Sequence, residues 1–475
     1  MSDKINILFI LADQLRASSL PVYGEQQIET PNLDRLASEG VVFSNAISSC
    51  PLCTPYRGML LTGRYPQTTG MLVNFIRIRH DEIGIGDTFS HASYRTAWIG
   101  KWHLHSGAFP EFDSYRDYVP EGRDRLGFQF WRAYNFHTNY FNGWVGIDDW
   151  WGEHWGGYET NALTRYAFRF LDAIEDEPFC LFISPHQPHN TTFGTDRAPE
   201  EYYARLHNRL ALPDNVPDGQ LEAAQEMYRH YLAMILALDD MVGDLLAYLD
   251  RTGRADNTLV VFASDHGTQG GAHGWRPWRK RAPYEESIRV PLIMRLPGVI
   301  EGGVTRDTLV APTDLFPSLC GLCGISTPRT VEGFDLSRAW RGTPGAPERK
   351  AILAMNFTGH NDRTVDGDPS HLEGQEWRAV RTKQHVYIQW LDGEVELFDV
   401  QRDPLQLDNL AALPEMEEVR SRMAATLTQL MAERNDELVP GSTYADWLDN
   451  YRRIVRNVHG PLGDPEGIPD WSLLS

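Results

Sequence analysis

Three kinds of residue in this chain can do chemistry together. Asp13 and the pair Asp265-His266 each follow a short apolar run, and two carboxylates with an imidazole form the hard-to-borderline donor set that holds a divalent cation. Gln14 adds a carbonyl oxygen. Cys53, in the segment Cys50-Pro51-Leu52-Cys53-Thr54-Pro55-Tyr56-Arg57, is a nucleophile through its thiolate. Lys101, Lys280 and Arg57 bring positive charge, and His103, His186 and His189 bring imidazoles that can move protons. Taken singly, each residue also has a plainer reading. An aspartate after a strand caps a helix or starts a turn, a lysine sits on the surface, and a histidine packs against backbone.

The elements that must position these groups follow from periodicity. Residues 5–11 are short and almost continuously apolar, the pattern of a strand buried on both faces, and they deliver Asp13-Gln14 at its carboxyl end. Further buried strands are expected at 96–99, 179–183 and 258–263, each followed closely by Lys101 and His103, by His186 and His189, or by Asp265 and His266. Residues 221–250 carry an apolar stripe at helical spacing closed by Gly253. Thr30-Pro31 reads as an N-cap followed by proline at the first helical position. Strands alternating with helices predict an α/β fold, a large mixed and mainly parallel sheet sandwiched by helices. In such sheets ligands bind outside the carboxyl ends of the strands, where these polar clusters fall.

Toward the C-terminus, residues 377–380, 385–390 and 394–400 read as short antiparallel strands with Asp392-Gly393 as a hairpin turn, and 416–435 as a helix. Residues 361–374 are polar and poor in apolar side chains. The expected organisation is a catalytic domain over 1–375 and a smaller α+β subdomain over 376–475.

Composition excludes several functions. A chain with 42% hydrophobic residues buries a large core. A net charge of -21 argues against nucleic acid, which needs a basic stripe to displace counterions, and against anionic membrane surfaces. The basic run Arg276-Pro277-Trp278-Arg279-Lys280-Arg281 is the exception, and its plainer reading is a solvated loop. The apolar run at 5–12 is too short to span a bilayer and lacks the features of a signal peptide, so a cytoplasmic protein is expected. Five cysteines, an odd number, fit a reducing compartment. Cys50-x-x-Cys53 and Cys320-x-x-Cys323 superficially suggest a four-cysteine zinc site, but the second pair lies in an apolar run that reads as a buried helix.

Cys53-Thr54-Pro55-Tyr56-Arg57 matches Cys-x-Pro-x-Arg, at which type I sulfatases convert cysteine to formylglycine. The chain resembles that family, within the alkaline phosphatase superfamily, along nearly its whole length. The matches run in order from residues 7–14 and 30–40 through the Cys53 segment, Gly100-Lys101-Trp102-His103, Pro188-His189-Asn190, Ser264-Asp265-His266-Gly267 and Lys280-Arg281-Ala282-Pro283-Tyr284-Glu285-Glu286 to Glu396-Leu397-Phe398-Asp399. The resemblance implies that Cys53 becomes the formylglycine, made by a formylglycine-generating enzyme, whose hydrate attacks sulfur and then expels sulfate. It implies a metal held by Asp13, Gln14, Cys53, Asp265 and His266, with Arg57 neutralising or orienting the hydrate and His103 positioning it. Lys101 and Lys280 would hold sulfate oxygens, and His189 would stand near the leaving oxygen with His186 competing for that place. Either Lys280 or a histidine would protonate the departing alcohol.

Two positions depart from the usual pattern. Most members carry two consecutive carboxylates where this chain has Asp13-Gln14, and many carry asparagine at His266. The Asp-Gln and Asp-His combination is similar to that of phosphonate monoester hydrolases, which use the same formylglycine. An amide and an imidazole soften the site, so Ca2+ is the expected metal with Mn2+ or Zn2+ as alternatives. His105 and His273 lie near the motifs and are further candidates to line the pocket.

Residues 131–158 hold Trp131, Tyr134, Phe136, Tyr140, Phe141, Trp144, Trp150, Trp151, Trp155 and Tyr158. Such rings can stack on a sugar, an aryl ester or a choline-like cation, or they can pack the core or a subunit interface. Asp148, Asp149 and Glu153 among them disfavour a densely sulfated chain, so a small monosulfated substrate is expected. The readings carried forward are a sulfate monoester hydrolase, a phosphonate or phosphodiester hydrolase on the same scaffold, and a noncatalytic carbohydrate- or anion-binding protein. A homo-oligomer is compatible with any of them.

Overall fold

The computed structural model describes residues 4–105, 118–148, 152–191, 197–357 and 375–474. The region 361–374, and Asp149, Trp150 and Trp151 of the aromatic stretch, lie outside them.

The sequence alternation of strand and helix produces a nine-stranded mixed sheet. Its order is Val304–Val310, Val41–Ile47, Leu292–Arg295, Thr258–Ser264, Asn6–Ala12, Phe179–Ser184, Arg95–Lys101 and Phe130–Tyr134, with Arg289–Val290 pairing off the second strand. The five strands from Thr258–Ser264 to Phe130–Tyr134 are all parallel, and Leu292–Arg295 runs antiparallel to both its neighbours. Every residue of Asn6–Ala12 is buried, and successive side chains enter different cores. Ile7, Phe9 and Leu11 join one core, and Leu8, Ile10 and Ala12 the other. That two-residue alternation between two apolar faces is what a helix-covered parallel sheet requires. The helices Cys53–Thr62, Ile85–His91 and Pro312–Cys323 contribute to the first core, and Pro31–Ser38, Glu159–Ala173 and the 31-residue Leu221–Arg251 to the second.

Strand register delivers the chemistry. Ala12 pairs with Ser264, so the next residues of these parallel strands, Asp13 and Asp265, emerge side by side. Gly100 pairs with Ser184, which brings Lys101 beside the turn carrying His186.

One local expectation fails. Thr30 makes no capping hydrogen bond to the first turn of Pro31–Ser38. The backbone N–H groups of Asn32 and Leu33 instead donate to Asp239 of the long helix. A carboxylate from a packed neighbour fills the role that a local hydroxyl was expected to fill.

The four strands Ile352–Asn356, Trp377–Arg381, His385–Trp390 and Val395–Asp399 form a second, antiparallel sheet, covered by the helix Glu417–Ala432. Its first strand comes from before residue 376, so a division at 375/376 would part that strand from its neighbour. Arg378 ties this unit together from inside. Its Nε and Nη2 donate to Asp436, just past the helix, at 2.6 and 2.9 Å, and its Nη1 donates to the Asn356 carbonyl. Both partners are buried. Removing one member of such a pair strands the other charge, so Arg378→Ala should destabilise by about 3–5 kcal/mol, read as a lower urea midpoint with unchanged m.

Candidate active site

The helix Cys53–Thr62 begins at Cys53, and its N-terminal N–H groups face the carboxyl edge of the sheet. Asn74 Oδ1 takes the Thr54 N–H, fixing the helix start. The thiol of Cys53 is fully buried, 3.2 Å from His266 Nε2, 3.4 Å from Lys280 Nζ and 4.0 Å from an Asp13 oxygen. Burial pushes the thiol up, but Lys101, Lys280 and His266 outweigh it and hold it well below the ordinary thiol value.

The two carboxylates are wholly enclosed and differ in partners. Asp13 accepts from Lys101 Nζ at 2.6 Å and from Arg57 Nη2 at 3.1 Å. Its own burial and Cys53 push its carboxyl upward, yet Lys101, His189 and His186 bring it well below the usual range. Asp265 accepts the backbone N–H groups of Gln14 and His266 at 2.9 and 2.8 Å, and Arg57 reaches it only at 3.5 Å. Burial and the neighbouring Asp13 push Asp265 up to about 6. His266 shows the converse balance: burial works against its charged form, and Asp265 and Cys53 raise it regardless. Its other ring nitrogen is held by the Gly267 carbonyl at 2.9 Å.

Arg57 was expected to neutralise or orient the reacting group at Cys53. Its hydrogen bonds go to Asp13, Asp265, the Lys101 carbonyl and Ser184 Oγ. It therefore serves as the counter-charge of the carboxylate pair from beneath. Lys101 contacts His186 Nε2 at 3.0 Å, and Lys280 contacts His189 Nε2 at 2.9 Å. The two imidazoles lie side by side, ring centroids 4.7 Å apart, and both are pushed down by burial and by the adjacent lysine ammonium. His189 keeps a little surface whereas His186 has none. His103 takes a left-handed backbone (φ 57°), and Phe75 and Phe136 pack on its ring. Burial and Lys101 push it down to about 3, which keeps the ring neutral.

Gln14 also adopts positive φ (66°). Its amide nitrogen donates to Thr268 Oγ1 and the Trp278 carbonyl at 3.0 and 2.9 Å. This leaves its carbonyl oxygen 3.4 Å from Lys280 Nζ, turned toward the site as a ligand role requires. Donor atoms of Asp13, Cys53, Asp265 and His266 all lie within 4.8 Å of one another. Two buried carboxylates, one of them pushed toward protonation by the other, form a donor set that a divalent cation would relieve, so these residues fit the expected metal.

Other predictions land elsewhere. His105 pairs with Asp124 at 3.2 Å, and His273 stacks on Tyr284 beside the site. Cys320 and Cys323 join no metal-competent group among the described residues. Trp131, Tyr134, Phe136, Tyr140, Trp155 and Tyr158 are buried, so this part of the aromatic stretch packs the core. Two of its members nonetheless shape the site: Phe136 lies under Lys101 at 4.8 Å, and the Tyr140 hydroxyl donates to the His189 carbonyl at 2.6 Å. Sequence reading missed Ser184 and Asn74. Ser184 ends an apolar strand with a polar residue and could have been noticed, whereas nothing local marks Asn74.

Comparison with known proteins fits this geometry. A family model described as Sulfatase matches residues 5–325. The chain belongs to the sulfatase family. It is accordingly a hydrolase of sulfuric esters. A second model, described as N-sulphoglucosamine sulphohydrolase, C-terminal, matches residues 271–433 of the sulfatase, bridging the two sheets. An "Ulvan-active sulfatase" of Formosa agariphila is 37% identical, over 99% of this chain and 88% of that protein. An "Endo-4-O-sulfatase" of Bacteroides thetaiotaomicron is 28% identical, over 91% and 92%. Among solved structures, a Bacteroides thetaiotaomicron protein from a locus for the metabolism of multiple glycosaminoglycans superposes with TM-score 0.80 at 26% identity, covering 91% of this chain and 97% of that one. A phosphonate monoester hydrolase from Silicibacter pomeroyi shares the fold, with TM-score 0.71 at 21% identity, covering 92% and 96%.

Proposed function

We propose that this sulfatase cleaves the sulfate monoester of a sugar, using a formylglycine derived from Cys53 and a divalent cation, Ca2+ first with Mn2+ or Zn2+ as alternatives. The observation that carries the reading is the position of Cys53, at a helix start between His266 and Lys280 and above two buried carboxylates. Similarity to sulfatases named for glycans favours a sugar as the alcohol over the aryl or choline-like alternatives. Formylglycine, once formed, supplies an oxygen nucleophile for sulfur and a route to release sulfate without water attacking the enzyme. The cation would be held by Asp13, Gln14, Asp265, His266 and the Cys53 position, where it would draw charge from sulfate oxygens.

The chain's own residues then divide the work. Lys101 and Lys280 hold sulfate oxygens from two sides, with the helix N-terminus adding its partial positive charge. Arg57 bridges the two carboxylates as their counter-charge. Lys280 can give its own proton to the departing alcohol oxygen, with the neutral His189, 2.9 Å away and oriented by the Asn190 carbonyl at 2.7 Å, holding the ammonium in place. His103, kept neutral, faces Cys53 and positions the nucleophile. Maturation requires a formylglycine-generating enzyme as partner.

A second reading is a phosphonate or phosphodiester hydrolase, favoured by Gln14 and His266 in place of the more usual carboxylate and asparagine. Turnover of an aryl sulfate against the matching aryl phosphonate separates them. We expect sulfate to be preferred by at least about tenfold in kcat/KM, a difference of 1.4 kcal/mol in transition-state binding, with loss on chelation and recovery on adding Ca2+. A tenfold preference for the phosphonate would establish the second reading instead.

A further inference from the structure

The basic run that precedes Lys280 is not used up by the catalytic residues. Residues 273–279 wall a cavity of 850 Å³, within the range of small-ligand sites. Chain neighbours of two catalytic residues line it. Asn190 lines it one residue after His189, and Arg279 one residue before Lys280, while the Trp278 carbonyl holds the Gln14 amide. Trp275 and Trp278 present half-buried flat rings. Arg279 lies over Trp275 at 5.5 Å and donates to Gln375 Oε1 at 2.8 Å, and Arg197 lies over Trp278 at 5.2 Å. Arg276 is exposed at the rim. In a chain with 65 acidic residues and net charge -21, none of the described lining residues is Asp or Glu. A cavity with indole walls and guanidinium groups suits a flat-faced ligand bearing an anion.

We propose that this cavity takes the sugar ring next to the sulfated one and recognises an anionic group on that neighbour through Arg276 and Arg279, with Trp275 as the stacking surface. The inference rests on the sugar-sulfate reading above and extends it: the substrate is an acidic saccharide of at least two rings. The anion is a carboxylate of a uronic acid or a second sulfate, each of which can offer a pair of oxygens to the two-pronged guanidinium. Arg276 and Trp275 thereby determine specificity without touching the reacting atoms.

The test uses the mature, metal-loaded enzyme and disaccharides that share one sulfated ring, whose neighbour is glucose, glucuronate or a sulfated glucose. Either anionic neighbour should raise kcat/KM at least tenfold over glucose, chiefly through KM, and the better of the two identifies the anion. Arg276→Ala should bring the anionic substrate down to the glucose level while aryl sulfate hydrolysis is unchanged. Trp275→Ala should weaken all three disaccharides and spare the aryl ester. Equal rates on all three disaccharides, or an equal loss on aryl sulfate in Arg276→Ala, would overturn the proposal. Calorimetry with an unsulfated glucuronate disaccharide keeps it separate from the function itself. Binding that Arg276→Ala weakens tenfold supports the cavity even if no sulfate ester is cleaved, and aryl sulfate hydrolysis without any such binding overturns the cavity alone.

Discussion

Cys53→Ala should lower kcat/KM for a sulfate ester by about 10⁴-fold or more, leaving the protein folded. The effect is large because removing a covalent nucleophile removes the pathway, and only electrostatic binding of the anion remains. Folding should survive because the deleted group is one sulfur atom in a site held by other bonds: Arg57 to Asp13 and Ser184, Lys101 to Asp13, and Asn74 to the Thr54 N–H. The cavity it leaves should cost on the order of 1 kcal/mol. Two measurements settle it: steady-state hydrolysis of an aryl sulfate, and a thermal melt of the same preparation. The mass of the Cys53 peptide from wild-type enzyme should show an aldehyde in place of the thiol. Full activity in Cys53→Ala would refute a covalent route through this residue, and wild-type protein that keeps the thiol yet turns over would refute the aldehyde.

Asp13→Ala should have the next largest effect, and it should strike both activity and stability. Asp13 is the single carboxylate reached by both Lys101 and Arg57, and it lies 4.0 Å from both Cys53 Sγ and His189 Nε2. Without it, Lys101 and Arg57 lose their nearest carboxylate in a buried site, which should destabilise by about 3–5 kcal/mol. Loss of a metal ligand together with misplaced lysines should lower kcat/KM by about 10³-fold. Asp13→Asn separates the two contributions, since the amide still accepts hydrogen bonds with less strain on the fold but lacks the charge to hold a dication. Its activity should fall nearly as far as that of Asp13→Ala, with bound metal reduced, while its urea midpoint should fall less. An Asp13→Asn enzyme within tenfold of wild type would remove Asp13 from the metal site.

The sheet was legible because strands buried on both faces leave uninterrupted apolar runs, and 179–183 and 258–263 matched the observed strands within one residue. The polar clusters at their ends were legible for the same reason, since Asp13 and Lys101 are the first polar residues after apolar runs, and Asp265 and His186 come one and two residues after the serines that end theirs. What could not be read is what depends on partners distant in the chain. Asp239 replacing Thr30 as a cap, and Arg57 turning to the carboxylates, are choices made by tertiary packing among several local options. The aromatic stretch shows the same limit: composition gives the rings, but only packing decides that Trp131 and Trp155 are buried while Phe136 floors Lys101. The strand Ile352–Asn356 was passed over because its sheet partners lie beyond an intervening polar segment.

The pairing of Ala12 with Ser264 has a consequence for how this chain finds its native arrangement. Asn6–Ala12 and its parallel neighbours are apolar on both faces, so sliding one strand by two residues would still place every side chain in oil-like surroundings. Alternation alone therefore discriminates weakly among such misalignments. The ionic groups at the strand ends discriminate strongly, because a slip would leave Asp13 or Asp265 enclosed without Arg57 and the backbone donors that now satisfy them. The catalytic residues thus act as alignment marks for the core, and substitutions that neutralise them should yield enzymes prone to trapped, misaligned intermediates as well as inactive ones.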